Sequence, residues 1–238
     1  MNTTVMALTA RALLGRRRVL LLLPMPLVLI GMTLIGSTAS GVEASEWGPT
    51  VFGNLGLSVI LPLTALIVGS SVLGLEIDDG TITHLLTKPL PRSEIILSKL
   101  CVAWLVTTVA TGVPLAVSAL IAGSGALAVG LVAGALLGSL AYCALFLALS
   151  VISKRPVAVG LVYIMLWENL LVGFVDGARV FSVQQHATSF ANAIAQSDML
   201  NDTVPVVTAM IVAAVFVGVG TVGATMKLRS FGLTGEAT

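Results

Sequence analysis

Apolar runs long enough to cross a lipid bilayer recur along the chain, and that recurrence limits the possible folds more than any motif does. They fall at residues 19–36, 51–75, 100–122, 126–152, 157–175 and 205–226. A hydrocarbon layer of about 30 Å takes roughly 20 apolar residues in a helix to cross. Inside it no water satisfies backbone amides, so each run has to be helical. The sequence is 57% hydrophobic and 10% charged, whereas a soluble domain carries about a quarter charged residues. The expected fold is therefore an all-α integral membrane protein with six transmembrane helices. Residues 1–238 form a single membrane domain, with no internal repeat and no domain boundary.

The runs carry details of their own. Arg16, Arg17 and Arg18 precede the first, and Ser37-Thr38-Ala39 has the small residues of a leader cleavage site. The run is longer than the roughly 7–15 residues of a leader's apolar region and others follow it, so an uncleaved span is expected. Pro24 and Pro26 predict a kink or an irregular start in it, while Pro62 and Pro114 lie inside the second and third spans. In the fourth, Gly130, Gly134 and Gly138 recur every four residues, a stripe along which another helix can approach closely. Cys101 and Cys143 both lie in apolar runs and read as small buried hydrophobes.

Basic residues orient the chain, because Lys and Arg are retained in the cytoplasm. Arg11, the Arg16–Arg18 cluster, Lys88, Arg92, Lys99, Lys154, Arg155, Lys227 and Arg229 all fall on one side of six spans, and Arg179 alone on the other. Both termini are expected in the cytoplasm. So is residues 76–99, the one long charge-mixed polar stretch enclosed between apolar runs near the middle of the chain. There Ile82, Leu85 and Leu86 share one helical face behind Asp78 and Asp79, and Pro89 forbids continuation. Ser93 can cap the next helix, with Glu94 in its first turn. A short amphipathic helix beside the membrane, joined at both ends to long ones, is the expected structure.

Several chemistries are missing. No Gly-x-x-x-x-Gly-Lys-Ser/Thr phosphate loop, Gly-x-Ser-x-Gly elbow or His-Glu-x-x-His motif occurs, so neither ATP hydrolysis by the phosphate-loop route nor hydrolase chemistry is expected. Gly218-Val-Gly-Thr-Val-Gly223 matches a dinucleotide fingerprint but sits within an apolar span with no strand before it, and reads as helix packing. His84 and His186 fall on opposite sides of the membrane, so no metal site is expected.

Glu168, beside Trp167 in the fifth run, admits two readings. An acid about a dozen residues into a span is by default functional, here as a contact in a substrate or proton pathway. Alternatively the span ends early, as Asn169, Asp176 and Gly177 allow, and the carboxylate stays at interface depth. Downstream, Val180, Val183, Ala187, Phe190 and Ile194 have helical spacing, which fits an interfacial or re-entrant helix on the outer side as well as a loop packed on span ends.

The run from Glu76 to Leu100 resembles the cytoplasmic loop of ABC-2 type permeases, in which an acid, Gly-Thr, Leu-Leu, Pro, Arg and a Lys entering the third span recur. The matching positions are Glu76, Gly80, Thr81, Leu85, Leu86, Pro89, Arg92 and Lys99. The Trp167-Glu168 pair and the outer segment after it resemble the bacterial single-domain members of the family.

The resemblance implies the membrane subunit of an ATP-driven exporter of the type V class in a bacterial inner membrane. It implies two copies of a separate ATP-binding cassette subunit holding ATP and Mg, and pairing of the permease with itself or with a homologous permease. Glu76, Asp79, Gly80, Thr81, Leu85, Leu86, Pro89 and Arg92 would form the coupling helix and its flanks, and Trp167 and Glu168 a substrate pathway or outer gate. No cofactor is expected in the chain itself, and no nucleic acid among its partners. The mostly aliphatic spans suit a lipophilic or amphipathic cargo. The alternative is an ATP-independent secondary transporter or channel with Glu168 as its ionisable site.

Overall fold

In the computed structural model the described residues are 3–15, 22–38, 43–78, 91–174, 176–200 and 204–230. Among them every regular element is helical. The order is α1 (Thr3–Leu14), α2 (Pro24–Thr38), α3 (Ala44–Gly48), a π-helical stretch (Pro49–Ile60) and α4 (Leu61–Asp78). Then come α5 (Arg92–Ile121), α6 (Gly125–Ile152), α7 (Pro156–Tyr163), a second π-helical stretch (Ile164–Leu171) and the single turn α8 (Val172–Phe174). A 3₁₀ turn (Asp176–Phe181), α9 (Val183–Ala195) and α10 (Val206–Ser230) are the last described elements. The expected amphipathic helix, with Asp79, Gly80, Thr81, Leu85, Leu86 and Pro89, lies outside the described residues.

Among the described residues four helices are long and apolar enough to cross a membrane: Ala44–Gly74, Arg92–Ile121, Gly125–Ile152 and Val206–Leu228. The first and fifth apolar runs give shorter helices, Pro24–Thr38 and Pro156–Leu171. In both cases a proline opens the helix, at the position where its missing N–H costs nothing. The fifth run is then cut at Leu171, where the backbone breaks into α8 and the 3₁₀ turn.

The third and fourth runs are the regular ones. α5 has 30 residues, about 45 Å at 1.5 Å each, and spans its own Pro114 without a break. A Schellman turn closes it: Gly123 at φ +83° donates to the Leu120 carbonyl, and Ser124 to that of Ala119. Ser124 then caps α6, its Oγ accepting from the Leu127 amide at 3.2 Å. Two residues thus end one long helix and start its antiparallel neighbour.

Helix α6 is the axis of the bundle, packed by α4, α5, α9 and α10. Its residues Tyr142, Cys143, Ala144, Phe146 and Leu147 have no exposed surface. Against α5 it makes a polar seam: Thr108 Oγ1 and Ser139 Oγ are 2.7 Å apart, Thr107 Oγ1 lies 3.3 Å from Cys143 Sγ, and Trp104 donates to the Leu136 carbonyl at 2.9 Å. Against α9 the contact is of small residues. A Cβ on Gly134 would lie 2.6 Å from the Ala187 carbonyl oxygen, and one on Gly130 would lie 2.7 Å from the Ala195 Cβ.

These contacts set the course of α9. Its Ala187 meets Gly138 near the middle of α6, and its Ala195 meets Gly130 near the start, so α9 runs antiparallel from mid-height towards one end. At 13 residues it is about 20 Å long, too short to cross a bilayer. Gly220 of the Gly218–Gly223 motif sits in α10, where a Cβ would lie 2.8 Å from the Ala144 carbonyl oxygen of α6. It serves close helix packing.

Candidate functional site

Two places gather chemistry-bearing side chains: the end of the bundle where α4 stops and α5 starts, and the N-terminus of α9.

At the first, α4 contains Glu76 and ends at Asp78, and α5 begins at Arg92. The two helices are bonded together about two turns further in. Lys99 is fully buried, and its Nζ donates to the Val72 carbonyl of α4 at 2.9 Å. That carbonyl can accept from a side chain in addition to its helical amide, because an oxygen has two lone pairs. Arg92 extends the joint to α10, its Nη1 donating to the Leu228 carbonyl. A cation at a helix C-terminus satisfies a carbonyl with no amide partner and favours the dipole end. The segment between Asp78 and Arg92 is thus flanked by helices tied to each other and to the last helix.

At the second, Glu168 is 3% exposed and lies in the π-helical stretch that follows α7. Its carboxylate accepts from the Val183 amide at 3.0 Å, from the Tyr163 hydroxyl at 3.3 Å and from the Ser182 hydroxyl. The Tyr142 hydroxyl comes near the same group without hydrogen-bond geometry. Three donors are what a buried carboxylate needs to replace water. Two of them belong to the first residues of α9, so the carboxyl group sits on the positive end of that helix. Ser182 also caps α9, its Oγ accepting from the Gln185 amide at 3.2 Å.

The surroundings fix this arrangement. Tyr142 stacks on Phe146 at a centroid separation of 5.8 Å, and Phe146 meets Tyr163 edge-on at 6.3 Å. Trp167 donates to the Phe181 carbonyl at 3.3 Å, pinning the 3₁₀ turn beside the π-helical stretch. Asn169, next to Glu168, donates to the Ile164 carbonyl at 2.9 Å and accepts from Ser58 of the first π-helical stretch at 3.3 Å. Further along α9, His186 Nε2 lies 2.8 Å from the Val180 carbonyl. A carbonyl only accepts, so Nε2 carries the hydrogen and Nδ1 is bare.

Sequence-expected residues thus divide. Glu168 and Trp167 come together with Ser182, Val183, Tyr163 and Phe181. Gly130, Gly134 and Gly138 face Ala187, Ala191 and Ala195. Arg92 is placed on the α10 end, and α4 carries Glu76. Ser182, Tyr163, Asn169 and the Lys99–Val72 bond are additional to those expectations. Ser182 had a visible signal, since Ser182-Val-Gln-Gln185 has the spacing of a capping box. Among the described residues no cluster of three or more His, Cys, Asp or Glu could hold a metal ion.

Comparison with known proteins agrees with the geometry of a helical membrane bundle. Residues 16–182 match the family model described as ABC-2 family transporter protein. No curated protein matches the chain. The chain belongs to the ABC-2 transporter family, as a multi-pass permease.

Proposed function

We propose that this member of the ABC-2 family is the membrane subunit of an ATP-driven exporter, moved by a separate ATP-binding subunit that presses on residues 79–90. The observation that carries this reading is the joint around that segment. Lys99 bonds α5 to α4, and Arg92 bonds α5 to α10. A push on a segment held this way reaches three helices as one body, which is what a coupling element requires. Residues 1–238 hold no phosphate loop, and in this reading the energy comes from a separate subunit carrying ATP and Mg. The permease itself is no enzyme in this scheme.

The bundle end with Arg92, Lys154 and Arg155 faces the cytoplasm of a bacterial inner membrane, by the retention of basic residues. α2 and the helix Pro156–Leu171 complete six membrane-inserted segments. α9 re-enters the membrane from the outer side, because its N-terminus lies at mid-height of α6. The face of Pro156–Leu171 that carries Val162, Met165, Leu166 and Leu170 is exposed, and it suits pairing with a second permease. A lipophilic or amphipathic cargo fits walls of this composition.

Glu168 caps a helix in this reading and carries no protons. Its carboxylate has three donors and almost no exposed surface. The experiment for the coupling claim is co-purification with a co-expressed ATP-binding cassette subunit from the same genome. Leu85→Asp with Leu86→Asp is expected to abolish association and ATP-dependent transport while leaving the permease folded. Cargo movement by the permease alone in sealed vesicles, without nucleotide, would overturn it.

A further inference from the structure

In α5, α6 and α10 the exposed positions away from the helix ends are apolar, as a surface against lipid tails should be. The seam between the two π-helical stretches differs. Asn54 of the first and Asn169 of the second are both exposed. Asn169 uses its amide within the chain, on the Ser58 hydroxyl and the Ile164 carbonyl. Asn54 lies about one turn outward of Ser58 and makes no side-chain hydrogen bond to a described residue.

That amide lies at membrane depth. Leu61 is level with the middle of α6, because its Cδ2 would lie 2.8 Å from a Cβ on Gly138, and Gly138 is near the midpoint of Gly125–Ile152. Asn54 precedes Leu61 by seven residues, which even at the full helical rise is only about 10 Å. Half of a hydrocarbon layer is about 15 Å. A side-chain amide left without a partner there is costly, so another surface covers it. The positions around it, Val59, Met165, Leu166 and Leu170, are exposed and apolar, so the covering surface is itself apolar apart from a partner for one amide. An Asn amide has two donors and an oxygen with two lone pairs, and is therefore complementary to another Asn amide. Two copies related by a two-fold axis bring the residue nearest the axis opposite itself. Gly53, beside Asn54, leaves room for such an approach, since nothing lies within 4 Å of where its Cβ would stand.

We propose that a second copy of this chain covers this face, with the Asn54 amides of the two copies hydrogen-bonded to each other across a two-fold axis. The proposal rests on the reading of Pro156–Leu171 as a pairing face and names the polar contact that selects the partner. The Ser58–Asn169 bond holds the two π-helical stretches side by side, so that Asn54 and the apolar positions of the second stretch meet the other copy as one surface.

The test reads pairing of the full chain in phosphatidylcholine bilayers by single-molecule photobleaching, with no nucleotide and no ATP-binding subunit, so its result is separate from that of the exporter reading. Asn54→Leu should weaken pairing about three- to thirtyfold. Asn54→Gln keeps the amide and should weaken it less. In a chain carrying Cys101→Ala and Cys143→Ala, Asn54→Cys is expected to form a disulfide between copies on mild oxidation. Val219→Cys, at a position 68% exposed on α10, is expected to form none. Asn54→Leu pairing as tightly as the parent, or crosslinking through Val219→Cys as readily as through Asn54→Cys, would overturn the proposal. So would chains that stay single at every protein-to-lipid ratio. Rapid labelling of Asn54→Cys by a membrane-impermeant charged thiol reagent would overturn it too, because the position would then face a water-filled cleft.

Discussion

Helix α6 is held by two neighbours in two different ways. Towards α5 it offers hydroxyls and a thiol, with Thr108 and Ser139 2.7 Å apart and Thr107 3.3 Å from Cys143. Towards α9 it offers an absence of side chains, and backbone meets Ala187, Ala191 and Ala195 directly. In water the second kind of contact would be unremarkable. In lipid, where tails are as apolar as leucine, close backbone approach is a principal source of helix association. The polar seam tolerates local repacking because hydroxyls rotate. The glycine seam cannot adjust, since its partner atoms include the Ala187 and Ala191 carbonyl oxygens.

The largest effect should therefore come from filling the glycine seam. A Cβ on Gly134 would already lie 2.6 Å from the Ala187 oxygen, and Gly134→Leu adds three more carbons there. Overpacking costs about 1–3 kcal/mol in cores that can shift, and this one is faced by backbone, so loss of monodisperse protein in detergent is expected. Gly218→Ala is the control, because nothing lies within 4 Å of that position. If Gly134→Leu were recovered and unfolded like the parent in an SDS titration, α9 would not be seated on α6 as described.

Next in size is the anchorage of α9 at its other end. Glu168→Ala strips the acceptor from the Val183 amide and from the Tyr163 and Ser182 hydroxyls. Each buried donor left unpaired costs about 1–3 kcal/mol. The expected result is a marked drop in SDS resistance, with α9 opening to proteolysis before the rest. Glu168→Gln keeps one acceptor oxygen and should fall between. Transport by Glu168→Gln should follow the parent across the pH range, since a capping carboxylate moves no proton. A pH profile that flattened in Glu168→Gln would restore the ion-coupled reading.

Ser182→Ala sharpens the same point. Ser182 both donates to Glu168 and accepts from the Gln185 amide. Loss of a helix cap costs about 1 kcal/mol, so a smaller fall in SDS resistance than for Glu168→Ala is expected. The two effects should be strongly non-additive in the double variant, because both act on one network. Simple addition would separate the cap from the carboxylate.

Membrane character was legible because it rests on composition and run length, which survive any detail of packing. The stripe at Gly130, Gly134 and Gly138 was legible for the same reason, a period visible without a partner. Its partner was not, because Ala187, Ala191 and Ala195 look like ordinary apolar residues until the two helices are set side by side. The π-helical stretches left no trace in the pattern, since an apolar run reads alike in α and π form. Pro62 is the one hint, two residues into α4 at the seam where the wider turn ends and a missing amide is best tolerated. Glu168 stood out in the sequence, but its meaning depended on Ser182 and Val183, brought back by a chain reversal that spacing does not encode.

The smallest effect tests the other side of α6. A double-mutant cycle of Thr108→Val and Ser139→Ala isolates one hydrogen bond of the polar seam. Interhelical hydrogen bonds in a membrane average only about 0.6 kcal/mol, because the inserted but unassembled helices find other acceptors. Ser139 has one at hand, the Leu136 carbonyl at 3.2 Å on its own helix. Each single variant should therefore fold, and the coupling read by SDS titration should be a few tenths of a kcal/mol up to about 1 kcal/mol. A coupling as large as the penalty of Gly134→Leu would reverse the ranking of the two seams. It would mean that hydroxyl pairing, and not the bare backbone contact with α9, holds α6 in place.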